Sequence, residues 1–580
     1  MLLLVNVKVD YRPKLDLSGF WRFKLDPSDE GEGLGWYRRF DATSVIYVPS
    51  SWNEQNPEWD SYCGVAWYAR SFYVDEMLRG RLDWLVFKGA GYHAKVWLNG
   101  AYLGEHEGSY TQFRLNASSA VKFGDLNLLV VKIDNRPALD RLPPALSANR
   151  TAFDFYLYGG IHRPVYVEFT EREYVESVRV RTDHRGWLSV NVKVSSGEAE
   201  VLIQLYDEKR DLLLSEKIGC REGIATLDRR VEGVKPWSPD EPNLYTLRVS
   251  LLKGGKPVDT VEERIGFRSV RVEGGRVYLN DRPVYLKGFG RHEDYPGTGK
   301  HVPGAVLVRD FYLMKKLGAN SFRTTHYPYS EEHLDLADEM GFLVILESTI
   351  CLSGFPGLFP NQEEARKWFK DPRILEKAKA VIREMVEEHG NRPSVIMYSV
   401  ANEPPTYWEE AALFVGELIE YAKQLDPSRP VTFASLAHSR DKALGYADVV
   451  SLNLYYGWYT EWGDIEAGVK RALEEVEKVR HMHPGKPIII AEFGADAVAG
   501  VHCDPPAMWS EEYQAEFLKR YVEELGKLDY IQGLHIWNFA DFRTPQNPGR
   551  TVLNRKGVYT RDRQPKLSAK VVKQLFRSLP

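Results

Sequence analysis

The chain has 580 residues, a net charge of -5 and only four cysteines. This length is too great for one hydrophobic core and predicts three or four domains. The charge gives no reason to expect a nucleic-acid partner. The cysteines, at 63, 220, 351 and 503, are too far apart for a metal or redox motif, and their scarcity favours a reducing compartment.

No segment approaches the length of a transmembrane helix, so no membrane partner is expected. The opening Met1–Lys8 lacks the basic start and the long apolar run of a signal peptide. We therefore expect a cytoplasmic protein.

Residues 1–170 have the pattern of an all-β domain. Short apolar runs such as Ala94–Leu98 and Leu128–Ile133 are separated by turn signals, of which Asn99-Gly100 is the clearest. A two-sheet sandwich is predicted. Residues 171–272 remain β-rich, and Leu188–Val194 alternates strictly between apolar and polar residues. Several short strands within about a hundred residues predict an immunoglobulin-like sandwich.

The period changes within residues 273–580, where strand-like runs alternate with amphipathic helices. Eight such runs can be counted, although the helix after the fifth is weak: 284–289, 321–324, 342–346, 394–400, 431–433, 449–454, 487–492 and 533–537. This alternation predicts a (β/α)8 barrel.

Two of these apolar runs end in a glutamate. Glu403 follows the fourth run and precedes two prolines, and Glu492 closes the seventh. In a parallel barrel the carboxyl ends of all strands open on one face, where active sites lie. Two carboxyl groups at that mouth are the minimum needed to cleave a glycosidic bond. The alternative is that each glutamate is a structural acid at a strand end.

Six motifs, in this order, make the chain similar to a known family. They are Asn320–Tyr329, Ser399–Pro404, Asn453–Tyr459, Glu492–Gly494, Trp537–Phe542 and Asn554–Arg563. With them the chain resembles glycoside hydrolase family 2, and within it the β-glucuronidases. The resemblance covers essentially the whole chain. It implies the same domain order: a jelly-roll-like sugar-binding sandwich, an immunoglobulin-like sandwich and a TIM barrel.

The resemblance implies that Glu492 is the nucleophile and Glu403 the acid/base of a retaining hydrolase. Retaining enzymes hold these carboxyl groups about 5–5.5 Å apart, so one should keep its proton near neutral pH. Asn402 could bond the 2-hydroxyl of the sugar, or simply cap a turn. Tyr455 could orient Glu492, or simply fill an aromatic core.

Glucuronic acid differs from glucose by a carboxylate at C6. The resemblance assigns its recognition to Asn554 and Lys556, because an amide and a cation are suitable donors, and Arg550 could add a second cation. The alternative is a solvated basic loop. This group is the main ground for expecting a glucuronide rather than a galactoside.

Four further residues are predicted to bind substrate. His292 could bond a ring hydroxyl, and Asp154 is implied to reach across from the first sandwich. Trp537 and Tyr459 could form walls that face the sugar. The alternatives are a satisfied core histidine, a turn aspartate and packing at the barrel top. Arg323 could hold a catalytic glutamate in place.

These expectations combine into a cofactor-free retaining exo-β-glucuronidase without a metal site. Its partner would be a small β-glucuronide or an oligosaccharide that contains glucuronic acid. The family implies a homo-oligomer, either a tetramer or a dimer. Two alternatives stay open: a family 2 β-galactosidase or β-galacturonidase, and a catalytically inactive carbohydrate-binding protein.

Overall fold

The computed structural model describes residues 11–580. The opening Met1–Lys8, on which the expectation about a signal peptide rests, lies outside the described residues. No helix within residues 11–580 is both long and apolar enough to cross a membrane.

The N-terminal part is a sandwich of two antiparallel sheets around one apolar core. The predicted turn at Asn99-Gly100 joins two of its strands, with both residues at positive φ (53° and 82°). The six-stranded sheet runs in the order Ser44–Val48, Gly19–Asp26, Val65–Val74, Asp125–Asp134, His93–Leu98, Ala101–Glu107. The four-stranded sheet runs in the order Lys14–Asp16, Val165–Thr170, Leu82–Phe87, Phe113–Asn116.

A second, smaller sandwich follows with its own core. Alternation along Trp187–Val194 buries the side chains of Leu188, Val190, Val192 and Val194, which is what a strand with one solvated face requires. One sheet contains Val175–Thr182, Trp187–Val194 and Ile224–Arg230. The other contains Leu212–Gly219, Glu200–Tyr206, Tyr245–Lys253 and Lys256–Ile265. A short three-stranded sheet, Val270–Glu273, Arg276–Leu279 and Arg282–Pro283, leads into the barrel.

The C-terminal part is a closed barrel of eight parallel strands, as predicted. Because the strands are covered on both faces, they read as continuous apolar runs in the sequence. In order they are Leu286–Arg291, Ser321–Thr324, Leu343–Glu347, Val395–Asn402, Val431–Ser435, Val450–Asn453, Ile488–Phe493 and Ile531–Ile536.

Helices surround the barrel. They are Gly304–Leu317, Glu331–Met340, Gln362–Phe369, Pro372–His389, Glu409–Leu425, Ile465–Met482, Glu511–Leu525 and Leu567–Ser578. The fifth strand is followed only by the one-turn 3-10 helix His438–Arg440, which explains the weak helical signal there. The short helix Gln362–Phe369 was not predicted. It starts where the Asn361 side chain accepts from the Glu364 amide, and it buries Trp368 and Phe369.

The first sandwich lies against the carboxyl-terminal mouth of the barrel. The amide of Tyr156 donates to the carbonyl of Arg543, which follows the eighth strand, at 3.0 Å. The aromatic rings of Tyr110 in the sandwich and Tyr327 in the barrel are stacked with centroids 4.0 Å apart. The mouth is therefore shared by two parts of the chain that are distant in sequence.

Candidate active site

Glu403 comes immediately after the fourth barrel strand, with φ at +50°. A left-handed conformation is uncommon for a residue with a side chain and is often found at functional sites. The side-chain amide of Asn453 donates to Oε1 of Glu403 at 2.7 Å. Burial, and then the charge of nearby Glu492, raises the pKa of Glu403 to about 8. This carboxyl group is therefore protonated at neutral pH and can donate a proton.

Glu492 lies in the seventh strand and is almost completely buried. The Tyr455 hydroxyl donates to its Oε2, and the Arg323 guanidinium donates to its Oε1. These bonds hold the carboxylate in one orientation. Tyr455 and Arg323 thus contact Glu492 in the way that the sequence suggested for both.

Arg323 connects several groups beneath the mouth. Besides Glu492, it donates to Glu347, a buried residue at the end of the third strand. Glu347 also accepts from Ser399 Oγ at 2.7 Å and lies 2.7 Å from His326 Nδ1. Because every side chain in this network has a partner, the position of Glu492 is fixed from below.

Asn402 is buried beside the two glutamates. Its Oδ1 accepts from Asn453 at 3.2 Å and from Arg323 at 3.4 Å, and its Nδ2 donates to Cys351 Sγ at 3.5 Å. An amide nitrogen carries two hydrogens. Within residues 11–580 only one of them has an acceptor, so the other is left for a ligand.

A second cluster, the cation cluster, contains Asn554, Lys556, Arg550, Asp154 and Asp496. Asp154 accepts from Arg550 Nη2 at 2.5 Å and from Asn554 Nδ2 at 2.9 Å, so the first sandwich does reach this part of the barrel. Lys556 forms an ion pair with Asp496, and both side chains are fully buried. The two cations are therefore paired with two carboxylates in a largely buried network, of which the Lys556–Asp496 pair is completely buried.

Tyr459 lies between the cation cluster and Tyr455, with its ring centroid 5.1 Å from that of Tyr455. Its hydroxyl accepts from Lys556 Nζ at 2.9 Å and from Arg550 Nη2 at 2.8 Å, while the residue remains 45% exposed. The Lys556 Nζ atom also lies 5.8 Å from the ring of Tyr455, which bonds Glu492. The cation cluster is thus one side chain away from the carboxylate of Glu492.

His292 and Trp537 form an aromatic wall on another side. Trp537 stacks on His326 with ring centroids 5.2 Å apart, and His326 Nε2 is 3.8 Å from Oε1 of Glu492. The His292 ring lies edge-on to Trp537 at 5.4 Å. Burial lowers the pKa of His292 well below its usual range, so its imidazole is neutral.

Sequence reasoning did not assign a role to four of these residues: Asn453, His326, Glu347 and Asp496. A signal was available for all four. Asn453 and His326 belong to the quoted motifs Asn453–Tyr459 and Asn320–Tyr329, and Glu347 and Asp496 lie at or just after strand ends that open on the mouth. Their contacts could be found only from the tertiary structure.

The closed (β/α)8 barrel holds two glutamates at its mouth. Glu403 is protonated, and Glu492 accepts hydrogen bonds from Tyr455 and Arg323. This pair has the chemistry of a glycoside hydrolase. Three family models match in series. The sugar binding domain of glycosyl hydrolases family 2 matches residues 15–170, the central family 2 domain residues 173–268, and the TIM barrel domain residues 270–579. The chain belongs to glycosyl hydrolases family 2.

Similar proteins match over nearly their whole length. A beta-glucuronidase of Paenibacillus borealis is 36% identical over 96% of this chain and 96% of its own. The structure of a beta-D-glucuronidase of Dictyoglomus thermophilum has a TM-score of 0.88 at 35% identity, with 99% and 98% covered. That of a Ruminococcus gnavus beta-glucuronidase in complex with D-glucuronic acid has a TM-score of 0.89 at 34% identity, with 99% of both chains covered.

Proposed function

We propose that this family 2 hydrolase is a retaining exo-β-glucuronidase, which releases D-glucuronate from β-D-glucuronides. The observation that carries the proposal is the position of the cation cluster. Lys556 Nζ lies beside the ring of Tyr455, and Tyr455 bonds the candidate nucleophile Glu492. Asn554 is next to Lys556, and its Oδ1 accepts from the Lys556 backbone amide at 3.1 Å. A substrate whose anomeric carbon is at Glu492 could therefore direct a carboxylate on C5 toward two donors.

In this mechanism Glu403 and Glu492 have different tasks. Glu403 donates its proton to the leaving oxygen while Glu492 attacks the anomeric carbon and forms a glycosyl-enzyme intermediate. Glu403, now ionised, then takes a proton from the water that releases the sugar. The raised pKa of Glu403 supports the first task, and the bonds that fix Glu492 support the second.

The cation cluster keeps donors available although its charges are already paired. In residues 11–580, Lys556 Nζ donates to two acceptors, Asp496 and Tyr459, and an ammonium carries three hydrogens. One hydrogen is left for the substrate. Asn554 Nδ2 likewise uses one of its two hydrogens on Asp154. These two free hydrogens suit the two oxygens of a carboxylate.

The relatives support the same substrate, since those described above are named beta-glucuronidases and one was solved with D-glucuronic acid. A β-galactoside has no carboxylate to use Lys556. A catalytically inactive binding protein would not need a glutamate whose pKa is raised to about 8 beside a second one. We therefore favour neither alternative.

The test is hydrolysis of matched nitrophenyl sugars by the purified protein. We expect turnover of the β-D-glucuronide, with β-D-glucoside and β-D-galactoside slower by at least about a hundredfold, the scale of one or two charge-assisted hydrogen bonds. The β-D-galacturonide keeps the carboxylate and differs only at C4, so we expect it to be slower than the glucuronide because of its inverted C4 hydroxyl. Equal rates on glucuronide and glucoside would contradict the proposal.

Assembly and location remain predictions. We propose a homo-oligomer, a dimer or tetramer, on the strength of the family. We propose the cytoplasm because all four cysteines are free thiols. The partner is then a small glucuronide, or an oligosaccharide that ends in glucuronic acid.

A further inference from the structure

Lys300 is a buried cation on the loop after the first barrel strand, where the barrel meets the first sandwich. Its Nζ atom lies 4.5 Å from the ring of Phe155 and 4.1 Å from the ring of Tyr327. Its amide donates to Ser51 Oγ of the sandwich at 3.1 Å. A buried ammonium is costly unless it has a specific partner. Here that partner is the Tyr327 hydroxyl, at 2.7 Å from Nζ.

The Tyr327 hydroxyl has three neighbours, and their chemistry determines where its hydrogen points. The Glu293 amide donates to it at 3.1 Å, and Lys300 Nζ is 2.7 Å away. The third neighbour is His292 Nδ1, at 3.0 Å. A hydroxyl has one hydrogen and two lone pairs. When Lys300 is an ammonium, both lone pairs are used, so the hydrogen is donated to His292 Nδ1.

That arrangement selects one tautomer of His292. A neutral imidazole that accepts at Nδ1 must carry its hydrogen on Nε2. Nε2 of His292 is buried and has no partner within residues 11–580, so it holds an unused donor. The His292 ring lies 5.5 Å from that of His326, which approaches Glu492. The ring of His292 is therefore separated by one side chain from Glu492, where the anomeric carbon of the sugar is proposed to lie.

We propose that Lys300 and Tyr327 are positioning residues that hold His292 in its Nε2–H tautomer, so that it donates to a sugar hydroxyl. This inference rests on the proposed function, because it assumes that a glucuronide occupies the mouth. Lys300, at the interface between sandwich and barrel, would then contribute to substrate binding. It would act on His292 through Tyr327 and would not touch the substrate itself.

The relay can respond to pH. Burial lowers the pKa of Lys300 to about 7 against the opposing charges of Asp294 and Glu293, and Arg163 lowers it further. The rings of Tyr110, Tyr158 and Phe155 cover the rest of the ammonium. Neutral Lys300 has a lone pair, so the Tyr327 hydrogen can turn to it. Tyr327 could then accept from His292 Nδ1–H, and the Nε2 donor would be lost.

Binding of D-glucuronate in a Glu403→Gln background tests this idea by calorimetry, since that background removes the titration of Glu403. We expect the dissociation constant to rise about three- to tenfold between about pH 6 and pH 8.5, the value of one neutral hydrogen bond. Adding Lys300→Met should abolish this pH-dependent step in the dissociation constant and leave weak binding at every pH. Adding Lys287→Met, a partly buried lysine at the opposite end of the first barrel strand, should leave the step intact.

Tyr327→Phe separates the relay from simple electrostatics. It removes the hydroxyl but leaves in place the carboxylates of Asp294 and Glu293, which favour the charged form of Lys300. The relay therefore predicts that the pH-dependent rise in the dissociation constant disappears. Attraction between Lys300 and the anionic ligand would preserve it. The inference would be overturned if the rise in the dissociation constant persisted in Lys300→Met or in Tyr327→Phe. It would also be overturned if the Glu403→Gln protein alone showed no such rise. Absence of glucuronate binding at every pH would instead overturn the proposed function, and this inference with it.

Discussion

Lys556 and Asp496 form an ion pair in which both side chains are fully buried. The burial means that the cation proposed to bind the substrate is also part of the folded core. Removing one member of a buried pair leaves the other uncompensated, which is costly. Tests of Lys556 must therefore separate loss of recognition from loss of stability.

Lys556→Gln should lower kcat/KM for a β-glucuronide by about tenfold to a few hundredfold, because a charge-assisted hydrogen bond contributes about 1.5–3 kcal/mol. A β-glucoside has no carboxylate to anchor, so its slow hydrolysis should be unchanged or improved. The ratio of the two rates, measured on paired nitrophenyl sugars, cancels general damage to the fold. An equal fall on both substrates would mean that Lys556 is purely structural.

Asp496→Asn should destabilise the protein by about 3–5 kcal/mol, since it leaves the Lys556 ammonium buried without its carboxylate. Arg550, whose Nη1 is 3.7 Å from Asp496 Oδ2, loses a favourable charge as well. Denaturant unfolding checks the change. The double variant Asp496→Asn/Lys556→Gln should recover part of the loss, whereas additive losses would show that the two residues do not depend on each other.

Glu492→Ala should abolish turnover of every substrate, because both chemical steps require the covalent intermediate. Glu403→Ala should retain the first step with very good leaving groups, which need little protonation. Burst and steady-state rates across phenols of different acidity distinguish the two variants. An identical response of both variants would show that the roles are wrongly assigned.

Activity should fall as the pH rises through about 8. Burial and Glu492 raise the pKa of Glu403 to about 8, so the protonated, donating form is present below that pH and is lost above it. The effect should be large for kcat/KM with a poor leaving group and small with a dinitrophenyl leaving group. If the fall in kcat/KM at high pH were the same for both leaving groups, the titrating group would be a residue other than Glu403.

The first-formed sugar should keep the β configuration. Two displacements at the anomeric carbon, one by Glu492 and one by water, restore the original stereochemistry. Proton NMR of the product within the first minutes, before mutarotation, distinguishes the anomers. Initial release of the α-anomer would mean a single displacement and would exclude Glu492 as a nucleophile.

The sequence alone was sufficient to predict the architecture, because its signals are local. Strands covered on both faces must be continuously apolar, and amphipathic helices must repeat every 3.6 residues, so the barrel was visible as an alternation of two periods. Glu403 and Glu492 could be found for the same reason, since each follows an apolar run at its carboxyl end. The motifs that surround them then indicated the family.

The tertiary structure decided which groups meet. Asp154 pairs with Arg550, which is 396 residues away in the sequence, and Lys556 pairs with Asp496, which is 60 residues away. No local pattern encodes such contacts, because they depend on how the sandwich docks on the barrel. The pKa of Glu403 is likewise a consequence of burial and of a neighbouring charge. The sequence determines which functional groups the chain carries. The protonation state and the partners of each group are determined only when the chain folds.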